Sequence, residues 1–348
     1  MNLVDTFLKL ISIESETGKE DNILDFIETF LEGNNFQGEI KRNNGGIVAV
    51  PSESSKKIAL VGHVDTVPVV PNQQYEFDND DLIGGRGSVD MKGGIAVILH
   101  SLIENSSQII GVFYTAEESS YEDNGLNIIM PELLSDFDID FAIILEPTDN
   151  EIQLGCLGAL NATLTISGKA AHSARPWVGD NPIYKVKDVI KLVEDNEINE
   201  FEIDGLNFKQ VMSITKVSSG IANNVIPEIL KLNLNFRYSP ELNGSEAASY
   251  INNLFSDYVE VEILNTSDGA MPNKSDEKIS EFINKTGAVV QPKQAWTDIA
   301  RFFEHKIPCV NFGPGDPLLA HATNEHVSKK QLLESYELLS GYLGVKSE

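Results

Sequence analysis

The sequence KIALVGHVDTVP, residues 57–68, determines how the rest of the chain is interpreted. Its aliphatic and β-branched run, bounded by glycine and proline, predicts a buried strand with His63 and Asp65 at its end. Side chains at i and i+2 of a strand point to the same face. Asp65 can therefore hold one ring nitrogen of His63 while the other nitrogen faces a metal ion. A His-x-Asp pair alone is weak evidence for a metal site, because such a pair is more often a satisfied surface pair.

Acidic residues follow other predicted elements. Apolar runs at residues 109–114 and 140–145 predict further buried strands, and a glycine-rich turn at 84–90 leads into a helix. Strands that alternate with helices predict an α/β fold, a mostly parallel sheet covered by helices on both faces. Ligands bind such sheets beyond the carboxyl ends of the strands. The acidic residues that follow these elements are Asp90, Glu117, Glu118 and Glu146.

The pattern changes in the middle of the chain. Residues 161–167 alternate between apolar and polar, and the elements that follow complete a βαββαβ order. This order predicts a small α+β domain inserted into the first one. We expect a catalytic domain of residues 1–159 and 270–348, and an inserted lid or dimerisation domain of residues 160–269.

Two helix starts have recognisable signatures. Residues 17–20, Thr-Gly-Lys-Glu, have the form of a capping box and precede apolar residues at helical spacing. Asn181 followed by Pro182 predicts a second start, because proline is favoured at the first helical position.

The composition excludes several classes of partner. The formal net charge of −27 argues against binding to nucleic acid or to an anionic membrane, both of which require basic patches. Two cysteines are too few for a disulfide framework and indicate a reducing, cytoplasmic location. No apolar stretch reaches the length that spans a membrane.

Five positions form a candidate metal site, and they combine imidazole and carboxylate groups without thiolate. Such donors suit zinc, cobalt or manganese. Five protein ligands are too many for one open catalytic zinc ion, but they suffice for two ions if one carboxylate bridges them. The positions are His63, Asp90, Glu118, Glu146 and His321.

The adjacent residues Glu117 and Glu118 cannot easily direct both carboxylates to one point. We assign Glu118 to the metal and Glu117 to proton transfer from water to the leaving amine. The alternative is a solvated acidic loop.

The motifs resemble those of the di-zinc aminoacylase and carboxypeptidase superfamily. The resemblance covers nearly the whole chain and rests on residues 62–68, on GRGSVDMKGG at 85–94, on the Glu117–Glu118 pair and on His321. Further stretches are similar to the actinobacterial family of succinyl-diaminopimelate desuccinylases. They are LEPTD at 145–149, GCLG at 155–158, AHSAR at 171–175, NNVIP at 223–227, WTDIARF at 296–302 and NFGPGD at 311–316.

The resemblance implies a role for each position of the candidate site. One zinc ion would be held by His63 and Glu146, the other by Glu118 and His321, and Asp90 would bridge them. Asp65 would orient His63, and Glu117 would act as the acid and base.

The resemblance also implies that the inserted domain mediates homodimerisation and acts as a lid. His172 would reach into the partner subunit's site and stabilise the oxyanion, while Asn224 and Arg237 would contact substrate. Thr297 is a further candidate for substrate contact. A loop histidine and a strand-surface charge are the alternatives for His172 and Arg237.

The proteobacterial desuccinylases carry arginines where this chain has Cys156 and Leu157. This chain also differs from them at Arg175. Arginine binds carboxylates in a bidentate manner. Arg175 is therefore a candidate for reading the succinyl carboxylate, and pairing with acidic surface is the alternative.

The implied activity is hydrolysis of N-succinyl-LL-2,6-diaminopimelate, a small N-acyl diamino acid, to succinate and LL-2,6-diaminopimelate in lysine biosynthesis. Acetylornithine deacetylase-like or other N-acyl-amino-acid hydrolase activity, or dipeptidase activity, is the alternative. A metal-binding scaffold without activity is a third possibility, which the presence of Glu117 and all five ligands argues against.

Overall fold

The computed structural model describes residues 1–51, 57–69, 76–104 and 109–344, which fall into two compact units. The first unit comprises Met1–Leu154, Asn273–Gln291 and Arg301–Glu348, and the second comprises Gly155–Pro272 and Pro292–Ala300. The last segment lies outside the predicted insertion but belongs to the second unit. The catalytic and lid roles of the two units stay predictions.

The helices and strands are numbered in chain order. The helices are α1 (Leu3–Ile11), α2 (Asp21–Gly33), α3 (Gly93–Glu104), α4 (Leu126–Asp136), α5 (Pro182–Asp195), α6 (Gly244–Phe255), α7 (Glu277–Thr286), α8 (Ile299–Glu304) and α9 (Lys329–Leu343). The strands are β1 (Gly38–Asn43), β2 (Gly46–Pro51), β3 (Lys57–His63), β4 (Phe77–Asp78), β5 (Leu82–Gly84), β6 (Ile109–Tyr114), β7 (Ile139–Ile144), β8 (Ile152–Leu154), β9 (Gly158–Ser167), β10 (Ala171–His172), β11 (Ile198–Ile203), β12 (Leu206–Ser219), β13 (Val225–Ile226), β14 (Ile229–Tyr238), β15 (Glu260–Ser267), β16 (Val290–Pro292), β17 (Cys309–Asn311) and β18 (His326–Ser328).

The first unit is built on an eight-stranded sheet in the order β1-β2-β6-β3-β7-β17-β8-β16. Strand β3 pairs in parallel with β6 and β7, and β7 pairs in parallel with β17. Strands β1, β2 and β8 pair antiparallel to their neighbours. The predicted α/β class is confirmed, and the parallel pairs are those of the four central strands. Apolar patterning reports the burial of a strand and not its direction, so the antiparallel strands were not foreseen.

Burial shows that both faces of this sheet are covered. Every residue of β2 and β6 is buried, which a sheet with one solvated face does not allow. Helix α3 packs against β3 and β6 and also contacts α1, α2 and α9. The carboxyl end of β3, which carries His63, is thus fixed inside a rigid layer.

The capping box predicted at residues 17–20 is wrong. Glu20 is the N-cap residue of α2, and no side chain there caps the helix. The hydroxyl of Thr17 donates instead to Oδ2 of Asp65 at 2.8 Å. A carboxylate accepts a hydrogen bond more strongly than a neutral group does. The carboxylate of Asp65 therefore holds Thr17 at the edge of the sheet. The second predicted start is confirmed, since the side chain of Asn181 caps α5.

The second unit contains a five-stranded antiparallel sheet in the order β11-β12-β14-β9-β15. Residues of β9 and β14 alternate between buried and partly exposed, and α5 and α6 pack on the sheet. Strand β11 was not predicted, because it is an edge strand whose residues are mostly exposed and include two glutamates. A two-stranded ribbon, β10 with β13, completes the unit.

A three-stranded sheet, β18-β5-β4, belongs to the first unit and lies next in sequence to the Asp90 segment. Among the helices of the described ranges, none combines the length and the apolarity needed to cross a membrane.

Candidate metal centre

The first group of donors forms around His63, which ends β3 and is fully buried. Its Nδ1 lies 3.0 Å from the backbone oxygen of Asp65 and 3.5 Å from Oδ1 of the same residue. A carbonyl oxygen can only accept, so Nδ1 carries a hydrogen, and Nε2 is the ring nitrogen that faces the other donors of the group. That Nε2 lies 2.9 Å from Oδ1 of Asp90 and 3.9 Å from Oε1 of Glu146.

The second group forms around His321. Its Nε2 lies 2.8 Å from Oε1 of Glu118 and 3.4 Å from Oδ2 of Asp90. His321 has a left-handed φ of 62°, which is uncommon for a residue other than glycine and recurs at functional sites. Asp90 belongs to both groups and presents a different oxygen to each.

The chemistry of the donors fits a pair of divalent cations. Within each group the potential ligand atoms all lie within 4.8 Å of one another. Both groups combine imidazole with carboxylate, and the two cysteines, Cys156 and Cys309, are buried thiols that lie outside the groups. Three protein donors for each ion, with one carboxylate shared, leave positions open for water and substrate, as in catalytic sites.

The electrostatics of the site favour positive charge at its centre. Burial alone would lower the pKa of His63, but Asp65 and Asp90 outweigh it and raise that pKa well above its ordinary value. Hydrogen bonds with Asp90 and Glu118 raise the pKa of His321 to about 10. Burial would raise the pKa of Asp90, yet His321 and His63 hold it below its ordinary value. Two cations would supply the charge that this carboxylate cluster requires.

Asp65 has a second set of contacts that the sequence did not reveal. Its Oδ1 accepts from the backbone N–H of Glu117 at 3.0 Å, and its Oδ2 accepts from that of Glu118 at 3.1 Å. The hydroxyl of Thr17 also donates to Oδ2. Burial would raise the pKa of Asp65, but its partners, His63 first among them, lower it, so the carboxylate is ionised. Asp65 thus contacts His63 mainly through its backbone oxygen, and its carboxylate fixes the loop that carries the adjacent glutamates.

The two glutamates of this loop have different surroundings. Glu118 contacts His321, whereas the charge of Glu117 acts on buried His63 and raises its pKa. Both residues are partly buried, and the Glu118 side chain is only 10% exposed. The carboxylate of Glu117 therefore belongs to the same site without being among the clustered ligand atoms.

The segment that carries Asp90 also depends on residues that the sequence analysis did not single out. Arg86 and Glu325 pair with each other next to Ser88–Lys92. The position of Glu325, four residues after His321, was a weak signal that it belongs near the site. An isolated acidic residue in a loop is far more often a solvated charge.

His172 lies on the β10–β13 ribbon of the second unit, and the predicted substrate contacts Arg175 and Asn224 lie just outside its two strands. His172 pairs with Val225, and the backbone N–H of Ser173 donates to the backbone oxygen of Asn224 at 2.9 Å. The Nδ1 of His172 accepts from the N–H of Ala174 at 3.1 Å, so the neutral ring carries its hydrogen on Nε2. Arg175 is exposed, and no carboxylate among the described residues pairs with it.

Arg237 and Thr297 lie near Cys156 in the second unit. The guanidinium of Arg237 is largely buried, which lowers its pKa, and within the described ranges no carboxylate forms an ion pair with it. Thr297 is buried, and its backbone oxygen faces the Cys156 thiol at 3.8 Å. Burial raises the pKa of that thiol to about 11, so Cys156 is neutral and does not compensate the arginine.

Comparison with known proteins agrees with the motifs. The model of Peptidase family M20/M25/M40 matches residues 59–344. A putative succinyl-diaminopimelate desuccinylase of Mycobacterium tuberculosis is 37% identical over 340 residues, which is 96% of this chain and 96% of the relative. The succinyl-diaminopimelate desuccinylase of Corynebacterium glutamicum is 34% identical over 348 residues, covering 96% of this chain and 94% of the relative.

Solved structures agree on the fold. A tripeptidase from Staphylococcus aureus matches with a TM-score of 0.76 at 21% identity and covers 98% of this chain and 96% of its own. A metallo-carboxypeptidase of the M20 family from Sulfolobus solfataricus matches with the same TM-score, 0.76, at 17% identity, and 99% of each chain is covered. The resemblance inferred from the motifs is confirmed by the family match and the full-length relatives, and the chain belongs to Peptidase family M20/M25/M40.

Proposed function

We propose that this chain is a metal-dependent amide hydrolase that converts N-succinyl-LL-2,6-diaminopimelate and water to succinate and LL-2,6-diaminopimelate. One observation supports the chemistry most strongly: Asp90 is shared by two groups of imidazole and carboxylate donors. The desuccinylase names of relatives that are 34% and 37% identical along nearly the whole chain support the substrate.

The contacts of the residues support a role for each of them. When bound, two divalent cations, zinc in this proposal and cobalt or manganese otherwise, would polarise the amide carbonyl and lower the pKa of a water molecule. Glu117 accepts a proton from the attacking water and passes it to the departing amine nitrogen as the carbon–nitrogen bond breaks. Asp65 keeps Glu117 in place through the N–H of that residue.

Residues of the second unit would bind the substrate and its developing charge. The succinyl diamino acid carries several carboxylates, and Arg175 and Arg237 are cations that no described carboxylate neutralises. The hydrogen on Nε2 of His172 makes this exposed ring a donor suited to an oxyanion. Asn224 lies beside His172, and Thr297 remains a proposed contact.

We also propose a homodimer formed through the second unit and a cytoplasmic location. Several large apolar side chains of this unit are exposed, as is common at protein interfaces. They include Trp177, Tyr184, Val217 and Ile221. Both cysteines are buried thiols that do not form a disulfide, which suits a reducing compartment.

The experiment that tests this function compares three substrates with the zinc-loaded protein. We expect kcat/KM for N-succinyl-LL-2,6-diaminopimelate to exceed that for acetylornithine and for a dipeptide by about 100-fold or more, because a site with cations for the extra carboxylate rejects analogues that lack it. A higher value for acetylornithine or for the dipeptide would reassign the substrate. A protein that binds metal but turns over none of the three would be a scaffold.

Arg175→Ala is expected to raise KM for the succinylated substrate by about 10-fold or more, because a bidentate charge-assisted contact is lost. KM for acetylornithine should change little, since that substrate lacks the succinyl carboxylate. Steady-state kinetics with both substrates measures the difference. Arg175→Lys should fall between wild type and alanine, and removal of another exposed cation of the same unit, in Lys187→Ala, should have no such effect. Equal effects of Arg175→Ala on both substrates would exclude the role.

A further inference from the structure

We propose that Glu325 is a positioning residue that holds the shared ligand Asp90 in place and thereby controls the binding of both cations. This inference rests on the metal centre proposed above. Glu325 is not one of the clustered donors and acts through the backbone of the segment that carries Asp90.

The contacts of Glu325 are those of a buried anchor. The residue is only 2% exposed. Its Oε1 accepts from the backbone N–H of Val89 at 2.9 Å and from that of Asp90 at 3.2 Å, and its Oε2 accepts from Nη1 of Arg86 at 2.9 Å. Its backbone oxygen accepts from the N–H of Gly85 at 3.2 Å. These side-chain hydrogen bonds are all directed at residues 86–90.

The backbone around Asp90 requires such a partner because it is irregular. Within Ser88–Lys92, Asp90 has φ −119° and ψ 93°, and Met91 has φ −133° and ψ 41°, which are not helical values. The N–H groups of Val89 and Asp90 both donate to the Glu325 carboxylate. Buried N–H groups without acceptors destabilise a fold. Without Glu325 we expect the segment to shift until these groups find other partners.

The sheet pairing explains why Glu325 reaches this position. Strand β18, which begins at His326, pairs antiparallel with β5, and His326 lies opposite Gly84. Glu325 therefore lies beside the chain just before Arg86. His321 is in the loop that leads to β18, so the same junction connects the segments that carry two of the ligands.

The shared position of Asp90 gives this role a distinctive signature. His63 and Glu146 occur in one donor group, and Glu118 and His321 occur in the other, but Asp90 occurs in both. A residue that positions Asp90 should therefore affect both ions together. Loss of a ligand such as Glu118 should affect one ion more than the other.

The test measures metal binding by full-length Glu325→Ala, Glu325→Asp and Glu325→Gln, without reliance on activity. Zinc affinity and stoichiometry are measured by competition with a chromophoric chelator, and visible absorption of the cobalt-loaded proteins reports the ligand geometry. We expect Glu325→Ala to weaken both ions by about 10- to 100-fold, the usual effect of losing a residue that supports a ligand. Glu325→Asp keeps the charge but shortens the side chain, so it should also weaken both ions.

Glu325→Gln provides the rescue, because its amide oxygen can still accept from Val89 and Asp90. Its affinities should lie nearer to wild type than those of the alanine variant. Glu337→Ala, which removes an exposed carboxylate on α9, should bind as wild type does. If Glu325→Ala does not fold, as shown by thermal unfolding of the metal-free protein, Glu325→Asp decides by the same criteria.

Three results would overturn the proposal. The alanine and aspartate variants could bind both ions with wild-type affinity, or the loss of affinity could be confined to one ion. The alanine and glutamine variants could also lose affinity equally. A wild-type protein that binds no pair of ions would instead reject the metal centre itself, so the two failures are distinguishable.

Discussion

Glu117→Gln is expected to lower kcat by about 10²- to 10⁴-fold, the range that a positioned general acid and base contributes. The amide has nearly the shape of the carboxylate but cannot take a proton from water at neutral pH. Its backbone N–H can still donate to Asp65, so the loop should stay in place. KM and the number of bound ions should therefore remain close to wild type. Steady-state kinetics together with metal analysis of the same preparation measures both quantities.

The neighbouring residue provides the matched control. Glu118→Gln makes the same chemical change one position along the loop, next to His321. It should lower the content of one cation, and activity should be recovered in part at high zinc concentration. The assignment of roles would be reversed if Glu117→Gln lost an ion while Glu118→Gln kept two and lost turnover.

Asp90→Asn is expected to weaken the binding of both ions by more than the 10- to 100-fold typical of residues that support a ligand, because it changes a ligand itself. An amide cannot supply a charged oxygen to each of two cations, whereas each oxygen of Asp90 faces a different imidazole at present. Turnover should be lost together with the metal. Isothermal titration with zinc, on protein first stripped with a chelator, measures the affinities and the stoichiometry.

Glu146→Gln is the control for this variant, because Glu146 belongs to the His63 group alone. It should weaken one ion and leave the other near its wild-type affinity. Two tightly bound ions in Asp90→Asn would contradict a bridging role for Asp90.

The parts of the site that the sequence predicted are those set by regular structure. The i, i+2 spacing in a strand places His63 and Asp65 together. Glu118 follows the end of β6 and Glu146 follows the end of β7, so both lie at the same edge of the sheet as His63. The division of the five ligands into two groups came from the family resemblance, since spacing alone does not show which side chains converge. Their roles as ligands stay a prediction, which the observed grouping supports.

The parts that could not be predicted depend on contacts between a side chain and distant backbone. Asp65 accepts from the N–H groups of Glu117 and Glu118, and Glu325 accepts from those of Val89 and Asp90. Every residue except proline has such an N–H group, so these contacts leave no mark in the sequence. The opposite error occurred at Thr17. Its local capping pattern was clear, but its hydroxyl donates to a distant carboxylate instead.

Anomalous diffraction at the zinc absorption edge, from crystals of the zinc-loaded protein, tests the paired-cation centre most directly. We expect two peaks about 3.5–4 Å apart, the spacing of two-metal sites. Each should lie about 2.0–2.2 Å from a carboxylate oxygen of Asp90. One peak should lie beside His63 and Glu146, and the other beside Glu118 and His321. A protein that hydrolyses its substrate with no peak at Asp90, or with a single peak that does not contact it, would contradict the proposal.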